Sequence, residues 1–406
     1  MLHLARNTVL SGSLALAAVA ACGKDDSDDD SSASAVSIGP GSLSLASSDP
    51  SGDTLGGSEA GPATEGGGAT DGDDTGQADS SPGSGPKFDV GGAPDGGGLG
   101  ETGAIDCDAM PDNPDCMCTI PDHTPCDNGT QDPFQAMGLN CPGELQVQAT
   151  KSGDAGAIGV RSNFGQAGIF QAREGSQYAV IGSGLVGDLN LETPQFDSDA
   201  GPTHCNDALG GSPDNLANLP APLKVNNVGG DCTQNPGLLG TGDCSNTIQG
   251  QFSQGGIAND YTELRFVLQV PPDVVAFSYD FAFFSTEYPW YYGDVFNDMY
   301  VGWLESEKWT GNISFDQMGN PISLNAGFLE FKDDGGGSPV FAGTCMRQHG
   351  GTNWLTTTAG VTPGEQITVV FAIFDLADPI LDSYAFLDNF KWSCEPTGKP
   401  STMPPN

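Results

Sequence analysis

The chain has 406 residues, with 53 acidic against 13 basic side chains and a net charge of −40. That balance excludes nucleic-acid binding, which needs Lys and Arg against phosphate, and disfavours lying flat on an anionic lipid surface. It is compatible with solvation of an extracellular surface and with divalent cations.

At the N-terminus, Arg6 gives a short positive region. Thr8 to Ala21 is then apolar and small, with Val9, Leu10, Leu14, Leu16 and Val19 among alanines. A spanning helix needs roughly 20 apolar residues, so this run reads as the core of a signal peptide over residues 1–21. It ends in Val19-Ala20-Ala21-Cys22. Small residues fit a narrow protease site, and the Cys thiol can accept a diacylglyceryl group. The segment resembles the lipobox of bacterial lipoproteins, which implies cleavage before Cys22 and lipid on its sulfur; the alternative is an ordinary signal peptide cut at A-x-A. By the same analogy Gly23 favours the outer membrane. No later segment is apolar enough to span a bilayer, so the expected address is the cell envelope, anchored by lipid and facing either the periplasm or the outside.

Residues 22–104 form an acidic Gly/Ser/Asp-rich tether that opens with Lys24 to Asp30. It has no hydrophobic period and cannot offset its ordering entropy by burial. About 80 such residues span roughly 50 Å as a coil. Residues 105–143 are Cys-dense and turn-rich, which predicts a small disulfide-held knot.

Setting Cys22 aside from the 11 cysteines leaves ten: Cys107, Cys116, Cys118, Cys126, Cys141, Cys205, Cys232, Cys244, Cys345 and Cys394. An even set in an oxidising compartment predicts disulfides, although the pairing cannot be read from sequence. Zinc is the weaker reading. Cys116-Met117-Cys118 lacks a partnering C-x2-C, and His123 is its only nearby His.

The globular part is expected over residues 144–396. Leu145, Val147 and Ala149 alternate. Apolar runs follow at Tyr178–Ile181, Leu264–Val270, Val274–Phe284, Asn297–Leu304, Gln366–Phe374 and Ser383–Trp392, punctuated by Gly and Pro. Period-two runs with turn signals and little helical period predict an all-β, jelly-roll-like β-sandwich. A long Gly-rich stretch from Pro202 to Gly256 predicts a loop stapled by Cys205, Cys232 and Cys244. Residues 397–406 read as a flexible tail.

Several segments carry a family resemblance: FAFFSTEYP at Phe281–Pro289, FND at Phe296–Asp298, FAIFD at Phe371–Asp375, Asp382-Ser383 and FLDNF at Phe386–Phe390. With the lead-in DPFQAMGLNC at Asp132–Cys141, they resemble the choice-of-anchor L domain of bacterial surface and secreted proteins. The resemblance covers roughly residues 132–394 and implies a β-sandwich whose anchor here would be the lipid on Cys22. It implies no defined activity. The chain departs from the family in its Cys-rich insertion around 202–244 and in Ser285-Thr286, where members often carry Ser-Glu.

Carboxylates gather at the predicted strand ends. Glu287, Asp298, Asp382 and Asp388 are candidate ligands of one calcium ion, since hard cations take oxygen donors. The competing reading is turn caps and buried hydrogen bonds without metal. Trp290, Tyr291 and Tyr292 lie in a turn and are candidates to contact a glycan or a protein partner, with Trp309 and Trp354 as further members. The competing reading folds that loop back onto the core.

No catalytic residues stand out. G-x-S-x-G, H-E-x-x-H and P-loop patterns are absent, and His204 neighbours a Cys expected to be oxidised. The expected function is therefore a lipid-anchored recognition or adhesion module, stabilised by calcium. The alternatives are a secreted polysaccharide hydrolase, with Glu287 and Asp298 as its acid pair, and a structural envelope protein with no soluble ligand.

Overall fold

Side chains on the long strands alternate between two apolar environments, and this alternation builds the molecule. On the strand Gln366–Leu376, Ile367, Val369, Phe371 and Ile373 enter one buried cluster, while Val370, Ala372, Phe374 and Leu376 enter another. On Ala276–Ser285, Phe277, Tyr279, Phe281 and Phe283 join the first cluster, and Ala282 and Phe284 a third. The first cluster lies between two antiparallel sheets. The other two lie on their outer faces.

These relations come from a computed structural model that describes residues 118–144, 146–192, 204–331 and 339–405. The signal peptide, Cys22, the tether, Cys107, Cys116 and Leu145 lie outside the described residues. The described residues fall within the unit Asp95–Asn406.

One sheet runs β1 (Gln148–Ser152), β6 (Ala258–Gln269), β14 (Gln366–Leu376), β8 (Met299–Glu305) and β10 (Ile322–Ser323), with β9 (Thr310–Asn312) also paired to β8. The other runs β11 (Leu329–Phe331), β12 (Gly350–Thr352), β7 (Ala276–Ser285), β15 (Ser383–Ser393), β5 (Tyr178–Gly182) and β2 (Ile158–Arg161). There β13 (Leu355–Gly360) pairs with β7 and with β16 (Ser401–Met403). A small ribbon, β3 (Asn163–Phe164) with β4 (Phe170–Gln171), pairs with neither sheet and packs Phe164 and Phe170 against Phe284 and Phe386 of the second. The expected all-β sandwich is what forms.

The Gly-rich stretch is a cover for the outer face of the first sheet. Leu219, Leu223, Ile248 and Phe252 bury Val301, Trp303 and Phe374. A helix absent from the sequence reading, Ile248–Gly255, is stopped by Gly256 at φ +81, a left-handed turn that glycine takes without strain. Buried Asp243 orders the approach to this helix by accepting from the backbone N–H groups of Ser245, Thr247, Ile248 and Asn312. Cys232–Cys244 staples the same segment.

Two segment boundaries move. The described part of the segment 105–143, residues 118–143, does not stand apart from the sandwich, because Phe134, Ala136, Met137 and Leu139 are buried in the inter-sheet core. Asp132 caps the short helix Pro133–Ala136 by accepting from the Phe134 N–H at 3.1 Å, with Pro133 at the first helical position where it needs no donor. The segment 397–406 is not a free tail either, since Thr402 of β16 is buried and Ser401–Met403 pairs with Thr356–Thr358. All eight described cysteines form bridges: Cys118–Cys394, Cys126–Cys141, Cys205–Cys345 and Cys232–Cys244. Cys118 is therefore no zinc ligand.

Candidate functional site

Antiparallel pairing brings six strand ends to one pole. Tyr384 pairs with Gly182, Ser383 with Ser285, Leu376 with Ala258, and Phe374 with Met299. The connection after β7 and the one before β15 therefore rise from the same pole, and the acidic residues of both collect there.

Glu287, Asp298, Asp375 and Asp382 are all buried. Glu287 accepts from the Asp298 N–H at 3.2 Å. Asp298 accepts from the Leu376 N–H at 3.1 Å and from the Ser383 hydroxyl at 2.6 Å, which ties the two sheets together at this end. Asp382 accepts from the Tyr384 hydroxyl at 3.0 Å through Oδ2, while its Oδ1 makes no well-formed hydrogen bond, although the Asp207 N–H approaches the carboxyl. Asp375 lies between outward-facing Phe374 and Leu376, and so takes an inward position. Neither of its oxygens meets a donor in good hydrogen-bond geometry. The Asp382 carboxylate lies against Gly184, where a Cβ would stand 1.7 Å from Oδ2. The turn at Ile181–Gly184 is thus shaped around this acid.

Burial raises the pKa of each of these groups because it penalises the charged form. It lifts Asp298 to about 7 even though the Ser383 hydroxyl and the Leu376 N–H bond to it and Asp375 lies close by. Desolvation and the Asp298 charge hold Glu287 well above the carboxylate range. Asp375 is raised by desolvation, then by the charges of Asp298 and Asp382, with the Ser183 hydroxyl easing the shift. Asp382 is raised by desolvation, with the Tyr384 hydroxyl working against it.

Of the four expected calcium ligands, three meet at this pole and Asp388 does not. It lies six residues along the chain from Asp382, most of them in extended β15, or roughly 20 Å. There it accepts from the Arg173 and Glu174 N–H groups at 2.6 and 3.3 Å. Its cross-strand partner is Asp280, which holds Arg173, Thr356 and Asn389. Asp375 belongs to the pole in its place. The sequence could have pointed to Asp375 through its parity with Ile367–Ile373, an acid continuing an inward apolar series.

The aromatic loop divides. Tyr288 is buried with Leu324 and Leu329, and Tyr291 packs against that cluster. Trp290 is half-buried, its ring 6.4 Å from the His349 ring. Tyr292 is 56% exposed, and Val295 and Ile380 are also exposed on the connections of this pole. Trp309 and Trp354 do not join them. Both are buried, Trp309 in the inter-sheet core and Trp354 against Tyr178 and Phe386.

At the other end of the sandwich a cavity of about 580 Å³ is lined by Leu139, Val147, Leu268, Phe390 and Trp392, with His123 at its edge. The His123 Nδ1 lies 2.9 Å from Glu144 and its Nε2 3.1 Å from Glu174. His123, Cys141 and Glu144 have donor atoms mutually within 4.8 Å. Cys141 is bonded to Cys126, so it offers no thiolate.

Comparison of the chain with protein-family models, with curated proteins and with solved structures finds no match.

Proposed function

We propose that this chain is a lipid-anchored envelope protein related to choice-of-anchor L domains, which binds its partner through the acid-based pole of the sandwich. Lipid on Cys22 holds it to the membrane, and the acidic segment that follows keeps the domain clear of the surface. Trp290, Tyr291 and Tyr292 supply aromatic faces for a glycan or for a surface protein. The observation that carries this reading is the exposure of Tyr292, Val295 and Ile380 on the two connections of one pole, above a base cross-linked between the sheets. Rigid sandwiches commonly present binding loops in this way.

Binding is favoured over hydrolysis by the state of the acids. Glu287 and Asp298 are both buried, and Glu287 is occupied by the Asp298 N–H. A glycosidase pair needs two carboxyl groups on either side of an open sugar site. Glycan-array and surface-protein binding, run beside turnover assays on the same polysaccharides, tests the reading. Loss of binding in Trp290→Ala and Tyr292→Ala, with no turnover in either variant or the parent, is the expected result. Turnover lost in Glu287→Gln would overthrow it. Cys22→Ser should release the protein from the membrane fraction, and protease digestion of intact cells reports which side the domain faces.

A further inference from the structure

The pole holds more buried acid than the protein neutralises. None of the ion pairs among the described residues reaches Glu287, Asp298, Asp375 or Asp382. Three carboxylate oxygens there, both of Asp375 and Oδ1 of Asp382, are buried without a well-formed hydrogen bond, Asp375 having only the Ser183 hydroxyl and the Asp298 carboxylate close by, and Oδ2 of nearby Asp260 is a fourth. An unpaired buried carboxylate costs several kcal/mol, so two such groups at one place need a counter-charge or protons. Asp375 and Asp298 also approach within hydrogen-bond reach of each other.

We infer that Asp375, with Asp298 and Asp382 beside it, holds a divalent cation at the base of the two pole connections. The donor set selects the ion. The groups are carboxylates, with the Thr286 hydroxyl beside them donating to the Cys205 and Asp382 carbonyls. The one cysteine there, Cys205, is bonded to Cys345. Oxygen donors without thiolate suit calcium, whose shell of six to eight oxygens is irregular and includes carbonyls and water. The three carboxylates do not place donor atoms mutually within 4.8 Å, a closeness that among the described residues only the His123 group has. As the side chains stand, the ion therefore takes no more than two of these carboxylates directly, with neutral oxygens and water completing the shell. Asp298 and Asp375 come from the first sheet and Asp382 from the connection entering the second. The ion would clamp the sandwich where the Asp298–Ser383 hydrogen bond already crosses it. This inference goes beyond the binding role and does not require it.

The acidic N-terminal segment could take up calcium loosely, so total uptake is a poor readout. The test is the melting temperature of the full chain in detergent, in calcium and in EDTA, together with terbium emission excited through Tyr384, which touches Asp382. At calcium about 100-fold above its Kd, binding to the folded form alone should raise Tm by roughly 5–10 °C. Asp375→Asn should abolish both the rise and the emission, whereas the remote Asp388→Asn should keep them. Should Asp375→Asn not fold, Asp382→Asn and metal analysis of the EDTA-treated and calcium-reloaded parent decide the matter. Equal melts in calcium and EDTA, or a rise that survives in Asp375→Asn, would overturn the site and leave the acids sharing protons.

Discussion

Cys118 is bonded to Cys394 across 276 positions, which fastens the first described residue to the chain just beyond the end of β15. The bridge closes nearly the whole sandwich into a loop. Cys126–Cys141 closes a separation of only 15.

Cross-links act largely by restricting the unfolded chain, and more so for longer loops. Cys118→Ser with Cys394→Ser should cost about 3–5 kcal/mol, more than Cys126→Ser with Cys141→Ser, by urea unfolding. Peptide mapping without reductant should return the same pairs. A larger loss from the short bridge would contradict the chain-entropy account.

Asp388 should make the protein less stable as pH rises. Burial raises its pKa to about 8, against the N–H bonds of Arg173, Glu174 and Asn389. Because the folded value lies above the unfolded one, the stabilisation is complete below about pH 4 and is lost as pH climbs through about 8. Asp388→Asn keeps an acceptor for the Arg173 N–H and removes the titration. Its Tm should match the parent near pH 5 and exceed it near pH 9. A parent advantage at pH 9 would show that the carboxylate is held ionised.

His123 contributes a slope of the same sign in a different window. Burial works to lower its pKa, but the Glu144 hydrogen bond and the charges of Glu174 and Glu144 outweigh burial and raise it. The stabilisation is present below the unfolded value near 6.5 and disappears as pH rises through the folded value. His123→Gln should therefore lose stability at pH 5.5 and differ little from the parent at pH 9. Proton NMR of the ring reports the pKa directly, and a value below 6.5 would refute the pairing of His123 with Glu144 and Glu174.

Gly184 is required by Asp382 and not by its own backbone angles. Gly184→Ala should be strongly destabilising, by roughly 2–4 kcal/mol, because its Cβ would meet Asp382 Oδ2 at 1.7 Å. Adding Asp382→Ala should recover part of that loss, giving a favourable coupling energy in a double-mutant cycle. Additive losses would place the clash elsewhere.

Local pattern carried the strands well. Val274–Phe284 and Gln366–Phe374 alternate because each must bury two faces, and both lie within a residue or two of β7 and β14. The lead-in at Asp132–Cys141 was legible as a motif. Its place in the core was not, because Phe134 meets Phe266, a residue more than a hundred positions away. The Gly-rich stretch concealed its helix. Ile248–Gly255 is only eight residues long and is held by burial of Ile248 and Phe252 and by Asp243 at its entry, not by intrinsic propensity.

The sequence by itself determined the acidic charge, the β-rich class and the acids at the strand ends, because composition and period-two alternation are local properties. Only the tertiary structure decided which acids share a pole. Register sets that choice: antiparallel pairing carries Asp298, Asp375 and Asp382 to one end and Asp388 toward the other, opposite Asp280. Linear spacing cannot express this, since a carboxylate's burial and its missing partners depend on neighbours brought in from other strands.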